Sequence, residues 1–376
     1  MKVENCHTPQ QAQDRLGPSW DWSNVHPGFG WWEALPRGLK HKPFFLVAQS
    51  NCGAKGCLPL MLVQSLLFGK FLVSLPYLNS GGLLLQSPLR PNLEPELPPT
   101  LRELGNTLVN QAIELADSLD VKHLELRHES PFPHPAFNAE RNDKVHMRLA
   151  LPSDTATLMA NFKSKLRSQI KKANENNFEI RFGTTELLQD FYQVFAENMR
   201  DLGTPVYSKN LFREILKAFP MNNLTQPTPT TTTPTTHQHR GYAELCVVYL
   251  NATPAATALL IHHQGKTEVP SASALRRFNT TGVNMWMYSK LLDRAIDRKS
   301  LWFDFGRSSV GSGTYKFKEQ WGAKPHPATW QYYVRKGNPA DMRPDSANKQ
   351  KLIQLWQKLP VALTRWIGPP IVRGIP

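Results

Sequence analysis

Apolar positions along this chain switch between two periods, and the switches mark its elements. Short apolar runs at 43–49 ("PFFLVAQ") and 58–64 ("LPLMLVQ") predict paired strands around the turn between Cys52 and Cys57. The longest apolar stretch, 58–75, is broken by Gln64, Ser65, Gly69 and Lys70, so it predicts two buried strands and a tight turn rather than a membrane span. Over 98–120 the period lengthens, with Leu104, Leu108, Ala112 and Leu115 on one helical face. Residues 121–129 read as a strand again. From 153 to 177 a second helical pattern places Leu158, Phe162, Leu166, Ile170 and Ala173 on a core face, with Ser153 as N-cap. A strand (178–183) and a helix (185–202) follow, the helix stopped by Gly203 and Pro205. After a short helix at 210–220 come strands at 243–250, 255–263 and 267–275. A helix at 284–299 carries Met285, Tyr288, Leu292 and Ala295 as its buried stripe. Residues 301–324 read as strand, Gly-rich turn and helix, and 352–374 as a helix ended by two prolines.

These alternations predict an α/β (α+β) protein of two similar units. The expected division is 1–152, 153–336 and a helical tail at 337–376, consistent with a length of 376 residues. Residues 222–240 ("NNLTQPTPTTTTPTTHQHR") hold Leu224 as their single apolar residue and predict a disordered insert. His237 and His239 lie in it and make a weak metal site at best. With four cysteines and no second Cys/His pair at matching spacing, neither a disulfide scaffold nor a metal knuckle is expected. The polar N-terminus lacks a signal-peptide core, which predicts a cytoplasmic protein. Trp356, Arg365 and Trp366 read first as packing residues and second as a membrane-surface contact.

Charge narrows the partners. The formal net charge is +14, which favours nucleic acid, anionic lipid or a phosphorylated substrate. Lys163, Arg167 and Lys171 recur every four residues, Lys165 and Lys172 widen that face, and only Glu175 opposes them. Such a helix loses some stability to like-charge repulsion unless an anion neutralises it; a solvated basic face is the alternative. At 301–324, Gly306 and Gly311 have P-loop spacing, but Ser312 stands where the phosphate-binding lysine is needed, which excludes a P-loop NTPase. Arg307, Lys316 and Lys318 still surround the turn, so it suits a phosphate or a developing oxyanion.

The stretches "LPLMLVQSLLFGKFLVSLPYLNSGG" (58–82), "KHLELRHE" (122–129), "KLRSQIKKANENNFEIRFG" (165–183), "FAENMRDLGTPVYSKNLF" (195–212), "VPSASALRRFN" (269–279), "FDFGRSSVGSGTYKFKEQWGA" (303–323) and "LPVALTRWIGPPIVRGIP" (359–376) carry a resemblance over nearly the whole chain. It resembles the FemAB-like proteins, and more closely their exosortase (PEP-CTERM) and exopolysaccharide-associated type. The resemblance implies two tandem GNAT-like domains and acyl or aminoacyl transfer to an amine or hydroxyl of a cell-envelope or exopolysaccharide precursor. It also implies that Phe317 and Lys318, ahead of Trp321 and Gly322, belong to the active-site region, with Lys318 facing donor phosphate or oxyanion and Arg307 assisting. Amide formation needs such a positive group and a base for the amine.

From the residues themselves, Glu268 is the candidate base. Arg200, Asp201 and Tyr207 around a helix end are candidate pocket residues, and Arg276 and Arg277 candidate phosphate contacts. Pro270–Ser271–Ala272 departs from the relatives' pattern, where an aromatic follows the proline. The stretch 276–286 has a single glycine, Gly282, and does not match the acyl-CoA pyrophosphate turn. The mismatch argues against an ordinary acyl-CoA site; the resemblance implies aminoacyl-tRNA as donor, and acyl-CoA stays open beside it. No metal and no permanently bound cofactor are expected, and a partner at the inner face of a membrane fits the precursor chemistry. An inactive cleft that holds an anionic glycan or lipid carrier is the reading from a different class.

Overall fold

The structure, a computed structural model, describes residues 1–18, 20, 30–78, 80–86, 97–221, 241–339 and 347–376. The predicted insert at 222–240 lies outside them. In chain order the elements are β1 (Val3–Cys6), α1 (Pro9–Leu16), α2 (Trp31–Leu39), β2 (Lys42–Gln49), β3 (Lys55–Ser65), β4 (Gly69–Val73), β5 (Leu84–Gln86), α3 (Pro99–Ser118), β6 (His123–His128) and β7 (Ala139–Ala150). They continue with α4 (Thr155–Asn161), α5 (Ser164–Ala173), β8 (Phe178–Gly183), α6 (Leu188–Asp201), α7 (Lys209–Ala218), β9 (Tyr242–Leu250), β10 (Thr253–His263), β11 (Lys266–Ala274), α8 (Val283–Asp297), β12 (Trp302–Ser309), α9 (Gly313–Glu319), β13 (Lys324–Val334), α10 (Ala347–Gln357) and α11 (Val361–Val372). Two compact units divide them. One is Met1–Asp143 with Pro327–Pro344 and Arg373–Pro376; the other is Lys144–His326 with Asp345–Val372. The chain thus changes unit inside β7, nine residues before the expected boundary, and most of β13 belongs to the first unit rather than the second.

In the first unit the strands run β1-β2-β3-β4-β6-β13, with β5 added on β3. Neighbours are antiparallel except β4 and β6, which are parallel. Alternation along β2 explains the two layers. Phe44, Leu46 and Ala48 face the core under α3, meeting Leu104, Leu108 and Ala112 of its predicted stripe. Phe45 points the other way and takes the edge of Trp32 from α2, ring centroids 5.8 Å apart.

In the second unit the order is β7-β12-β11-β10-β9-β8, antiparallel throughout except the parallel pair β11/β12. Helices α5 and α8 cover one face; Leu166, Ile170 and Ala173 pack with Met287, Leu291 and Ala295 in one core. Helix α6 covers other strand surface, and Phe191, Phe195 and Phe212 from α6 and α7 form an aromatic cluster.

Three details differ from the sequence reading. The helical pattern at 153–177 is two helices, because Phe162 adopts extended backbone (ψ 145°) between α4 and α5. Its N-cap is Asp154, whose carboxylate accepts from the Thr157 amide at 2.7 Å, not Ser153. Pro369 and Pro370 lie inside α11 rather than at its end.

Candidate active site

Parallel strands β11 and β12 pair over only three rungs: Lys266–Trp302, Thr267–Phe303 and Glu268–Asp304. Beyond Glu268, β11 stays with β10 as far as Ala274, while β12 follows β7. The two strands therefore part at Glu268 and Asp304. The register of β12 slips between Asp304 and Arg307, a bulge in which Gly306 takes φ +76°. Its amide donates to Asp304 Oδ1 at 2.8 Å.

Asp304 is fully buried and held by β7, where Arg148 Nε donates to Oδ2 at 3.0 Å and His146 Nδ1 lies 3.6 Å from it. Lys318 reaches the same bulge from α9. Its Nζ donates to the carbonyls of Gly306 at 3.0 Å and Arg307 at 2.8 Å. Burial pulls its pKa down to about 8; Asp304 opposes the fall and Arg307 adds to it. A buried lysine whose ammonium donates to neutral carbonyls, with no direct ion pair among the described residues, is the arrangement expected to titrate low. Nearby, His263 is lowered to about 3 by burial and by Lys266, against the pull of Asp304.

Helix α9 is short and needs fixing. Ser312 caps it, accepting from the Tyr315 amide at 3.2 Å. Phe317 meets the edge of Tyr288 at 5.1 Å, and Trp321, fully buried, meets Phe162 at 5.5 Å. Trp321 is thus a core residue with no exposed surface for the substrate contact expected of it, while Phe317 is half-buried and packs against the same core. The phosphate-loop reading of this turn changes too, since the Gly306 amide is spent on Asp304 and Lys318 points back at the bulge.

A second feature of this unit lies at the start of α8. Strand β11 leads through a 3-10 turn (Arg276–Thr281) to Gly282, φ +73°, and then α8. A cavity of about 590 Å³ lies here, lined by Gln169, Lys172, Asn176, Thr280, Gly282 and Met285 among others. Asn176 Nδ2 ties its walls, donating to the carbonyls of Ala173 and Thr281 at 3.1 Å each. A Cβ on Gly282 would come within 3.1 Å of the Ala173 Cβ, so glycine serves both the backbone and the close helix approach. The amide end of the 15-residue α8 faces this region with a partial positive charge.

Of the basic helix, Lys172 lines that cavity, together with Glu175. Lys163 caps α5 and is exposed, as is Lys171. Arg167 Nη1 donates to the carbonyls of Ala160 at 3.2 Å and Phe162 at 2.7 Å, closing the end of α4. The remaining candidates gather elsewhere, at the C-terminal end of α6. Arg200 donates to Asp201 Oδ1 at 2.6 Å and to the Leu359 carbonyl at 3.1 Å. Arg276 donates to the Asp201 carbonyl at 2.7 Å, and Arg277 pairs with Glu197. The Tyr207 carbonyl accepts from Tyr192 Oη at 2.9 Å. Asp304, Arg148 and His146 were missed; their signal is a charged residue at every second position of apolar strands, "FDF" and "VHMRL".

The first unit repeats the strand divergence but fills it. Strands β4 and β6 also pair in parallel over three rungs, ending at Val73–Glu125. The chain after Val73 then lies along β6: Ser74 and Gly81 amides donate to the carbonyls of Glu125 (2.9 Å) and Arg127 (3.0 Å). Arg127, fully buried, pairs with Glu125, donates to the Leu78 carbonyl at 2.7 Å and lies 4.1 Å over the Trp330 ring. Burial alone would raise the Glu125 carboxyl, but Arg127 and His123 hold it down at about 2.

Residues 160–319 match the family described as Acetyltransferase (GNAT) domain. No curated protein matches the chain in sequence. Among solved structures, FemX is similar at TM-score 0.56 and 13% identity, covering 94% of this chain and 100% of its own. A conserved protein of unknown function from Bacteroides thetaiotaomicron VPI-5482 is similar at 0.54 and 10%, covering 88% and 99%. A tandem GNAT protein from the clavulanic acid biosynthesis pathway is similar at 0.53 and 12%, covering 88% and 97%. At these identities the likeness concerns the fold, which is α/β with two tandem GNAT-like units.

Proposed function

We propose that the second unit is an acyltransferase whose reacting carbonyl lies where β11 and β12 part. The observation that carries this reading is Lys318, a buried ammonium at the β12 bulge beside Asp304. The match of residues 160–319 to a GNAT domain supports it.

In the proposed reaction an amine or hydroxyl of the acceptor attacks the acyl carbonyl. The carbonyl π electrons move to oxygen, and the Lys318 ammonium stabilises the oxyanion in a water-poor cleft. Glu268, at the last shared rung, takes the proton from the attacking group. Collapse breaks the bond to the donor, a tRNA ribose oxygen or a thiol, which leaves with a proton. Donor phosphates would occupy the cavity at the start of α8, near Lys172. The resemblance of the sequence to FemAB-like proteins favours an aminoacyl donor and an envelope or exopolysaccharide precursor as acceptor; the likeness to FemX concerns the fold. The second reading, an acyl-CoA donor, is favoured by the family match to an acetyltransferase domain and by that same cavity.

The two donors separate in a binding titration against salt. A tRNA donor predicts affinity that falls steeply, since each neutralised phosphate releases counterions. Affinity for tRNA that is flat with salt, together with turnover of acyl-CoA, would select the second reading.

A further inference from the structure

We propose that this protein docks on anionic lipid bilayers through the β3–β4 hairpin tip of its first unit, and that α10–α11 of its second unit is by itself an apolar, basic surface of the same kind. This inference is independent of the transferase reading.

The hairpin tip presents Leu66 and Leu67 at relative exposures of 108% and 76%, so both project fully from the surface. They are not a floppy pair. Ser65 Oγ accepts from the amides of Leu67 at 3.2 Å and Phe68 at 3.3 Å, fixing the turn. Phe68 folds back onto the core formed by Val63, Phe71 and Val73. The last residues of the chain pack under the tip: a Cβ on Gly374 would meet the Ser65 Cβ at 2.5 Å, and the Arg373 carbonyl accepts from Tyr77 Oη at 2.7 Å. Lys70, Lys122 and Arg373 are exposed around this tip, with the Lys122 chain lying against Gly69. The carboxylates of this neighbourhood, Asp117 and Asp120, are already paired with Arg335 and Lys336.

The second element has the same chemistry from different residues. Leu352, Leu355 and Trp366 are 67%, 61% and 77% exposed. From 347 to 372 the sequence holds no Asp or Glu, while Lys351, Lys358 and Arg365 are basic. On the neighbouring α6, Glu197 and Asp201 are taken by Arg277 and Arg200.

A hairpin tip of two exposed leucines with Lys70, Lys122 and Arg373 exposed on neighbouring segments does not offer a complementary groove to a folded partner. It fits a fluid interface, where the leucines enter the acyl boundary and the cations meet anionic headgroups. Exposed tryptophan prefers the same depth. Charge complementarity selects an anionic bilayer as the occupant.

The test is flotation of the full chain with vesicles of phosphatidylcholine, with and without phosphatidylglycerol. The wild type is expected to float with the anionic vesicles only and to be released by salt. Leu66→Ser/Leu67→Ser and Leu352→Ser/Leu355→Ser/Trp366→Ser should each lower partitioning by about tenfold or more. Lys70→Gln/Lys122→Gln should weaken both the partitioning and its salt dependence. Because these side chains are exposed, the thermal midpoints should stay close to that of the wild type. No flotation of the wild type, or flotation that both apolar variants leave intact, would overturn the proposal. So would a wild-type dimer that the leucine substitutions disperse without any vesicle binding, which would make the tip a self-association surface.

Discussion

The Lys318 ammonium is hydrogen-bonded to the carbonyl oxygen of Gly306 at 3.0 Å, across a bulge that also turns the Gly306 amide onto Asp304. One glycine therefore holds a cation with its oxygen and an anion with its nitrogen. Substitution of Lys318 by Met keeps most of the side-chain volume and removes the charge. The expected outcome is a fall in kcat of about a hundredfold or more with KM little changed, as for loss of one oxyanion donor. Steady-state kinetics on the folded variant checks it; a change confined to KM would point to ground-state binding instead.

The same lysine predicts a pH dependence. Its pKa is about 8 in the folded protein against an ordinary 10.5, so the charged form is lost as pH rises through 8. If the charged form is the active one, kcat should decline above that pH. The folded state also binds fewer protons than the unfolded chain between about 8 and 10.5, so stability attributable to this group should rise with pH in that window. Denaturant melts of wild type and Lys318→Met across it should show the rise in the first and its loss in the second.

Glu125 predicts the opposite limb. Its carboxyl titrates at about 2 when folded against 4.5 ordinarily, so its contribution is present above 4.5 and lost as pH falls towards 2. Glu125→Gln would leave Arg127 buried beside a neutral group, at a cost on the order of 3–5 kcal/mol. Chemical denaturation at neutral pH measures that cost, and a loss under 1 kcal/mol would mean the pair is not as buried as its geometry implies. Since the first-unit divergence is spanned by its own backbone, the substitution should affect stability far more than chemistry per folded molecule.

Gly282→Ala tests the cavity at the start of α8. The backbone there is left-handed (φ +73°) and the new Cβ would press on Ala173 at 3.1 Å. A cost of about 1–2 kcal/mol is expected from the conformation alone. With donor phosphates in that cavity, KM for the donor should rise more than kcat falls. Lys172→Gln, which changes charge without backbone strain, should reproduce the KM effect.

Much of the architecture was legible in the sequence. The β3–β4 hairpin, the α3 stripe and the strand–turn–helix at 302–319 follow from period and turn chemistry alone. The break at Phe162 was not, because its spacing continues the helical pattern while its backbone does not. The site was legible only in part. Lys318 stood out as a charge after a glycine-rich turn, but Phe317 and Trp321 look the same in sequence whether they face a ligand or a core. Arg276, Arg277, Arg200 and Asp201 looked like pocket residues, yet Asp201 accepts from Arg276 through its carbonyl and from Arg200 through its carboxylate, Arg200 also donates to the Leu359 carbonyl, and Arg277 pairs with Glu197. Asp304, Arg148 and His146 come together only through the antiparallel pairing of β7 with β12, a long-range relation that no local pattern encodes.

The most direct measurement is transfer of a labelled acyl group in a single turnover, with purified full chain, aminoacyl-tRNA or acyl-CoA as donor, and an envelope-precursor amine as acceptor. The account predicts a covalently acylated acceptor with the wild type, and at least about a hundredfold slower formation with Lys318→Met at unchanged donor binding. Acylation by the wild type that proceeds equally fast with Lys318→Met would contradict it. Binding of the acceptor with no acyl transfer from either donor would make the cleft a binding site rather than an active one.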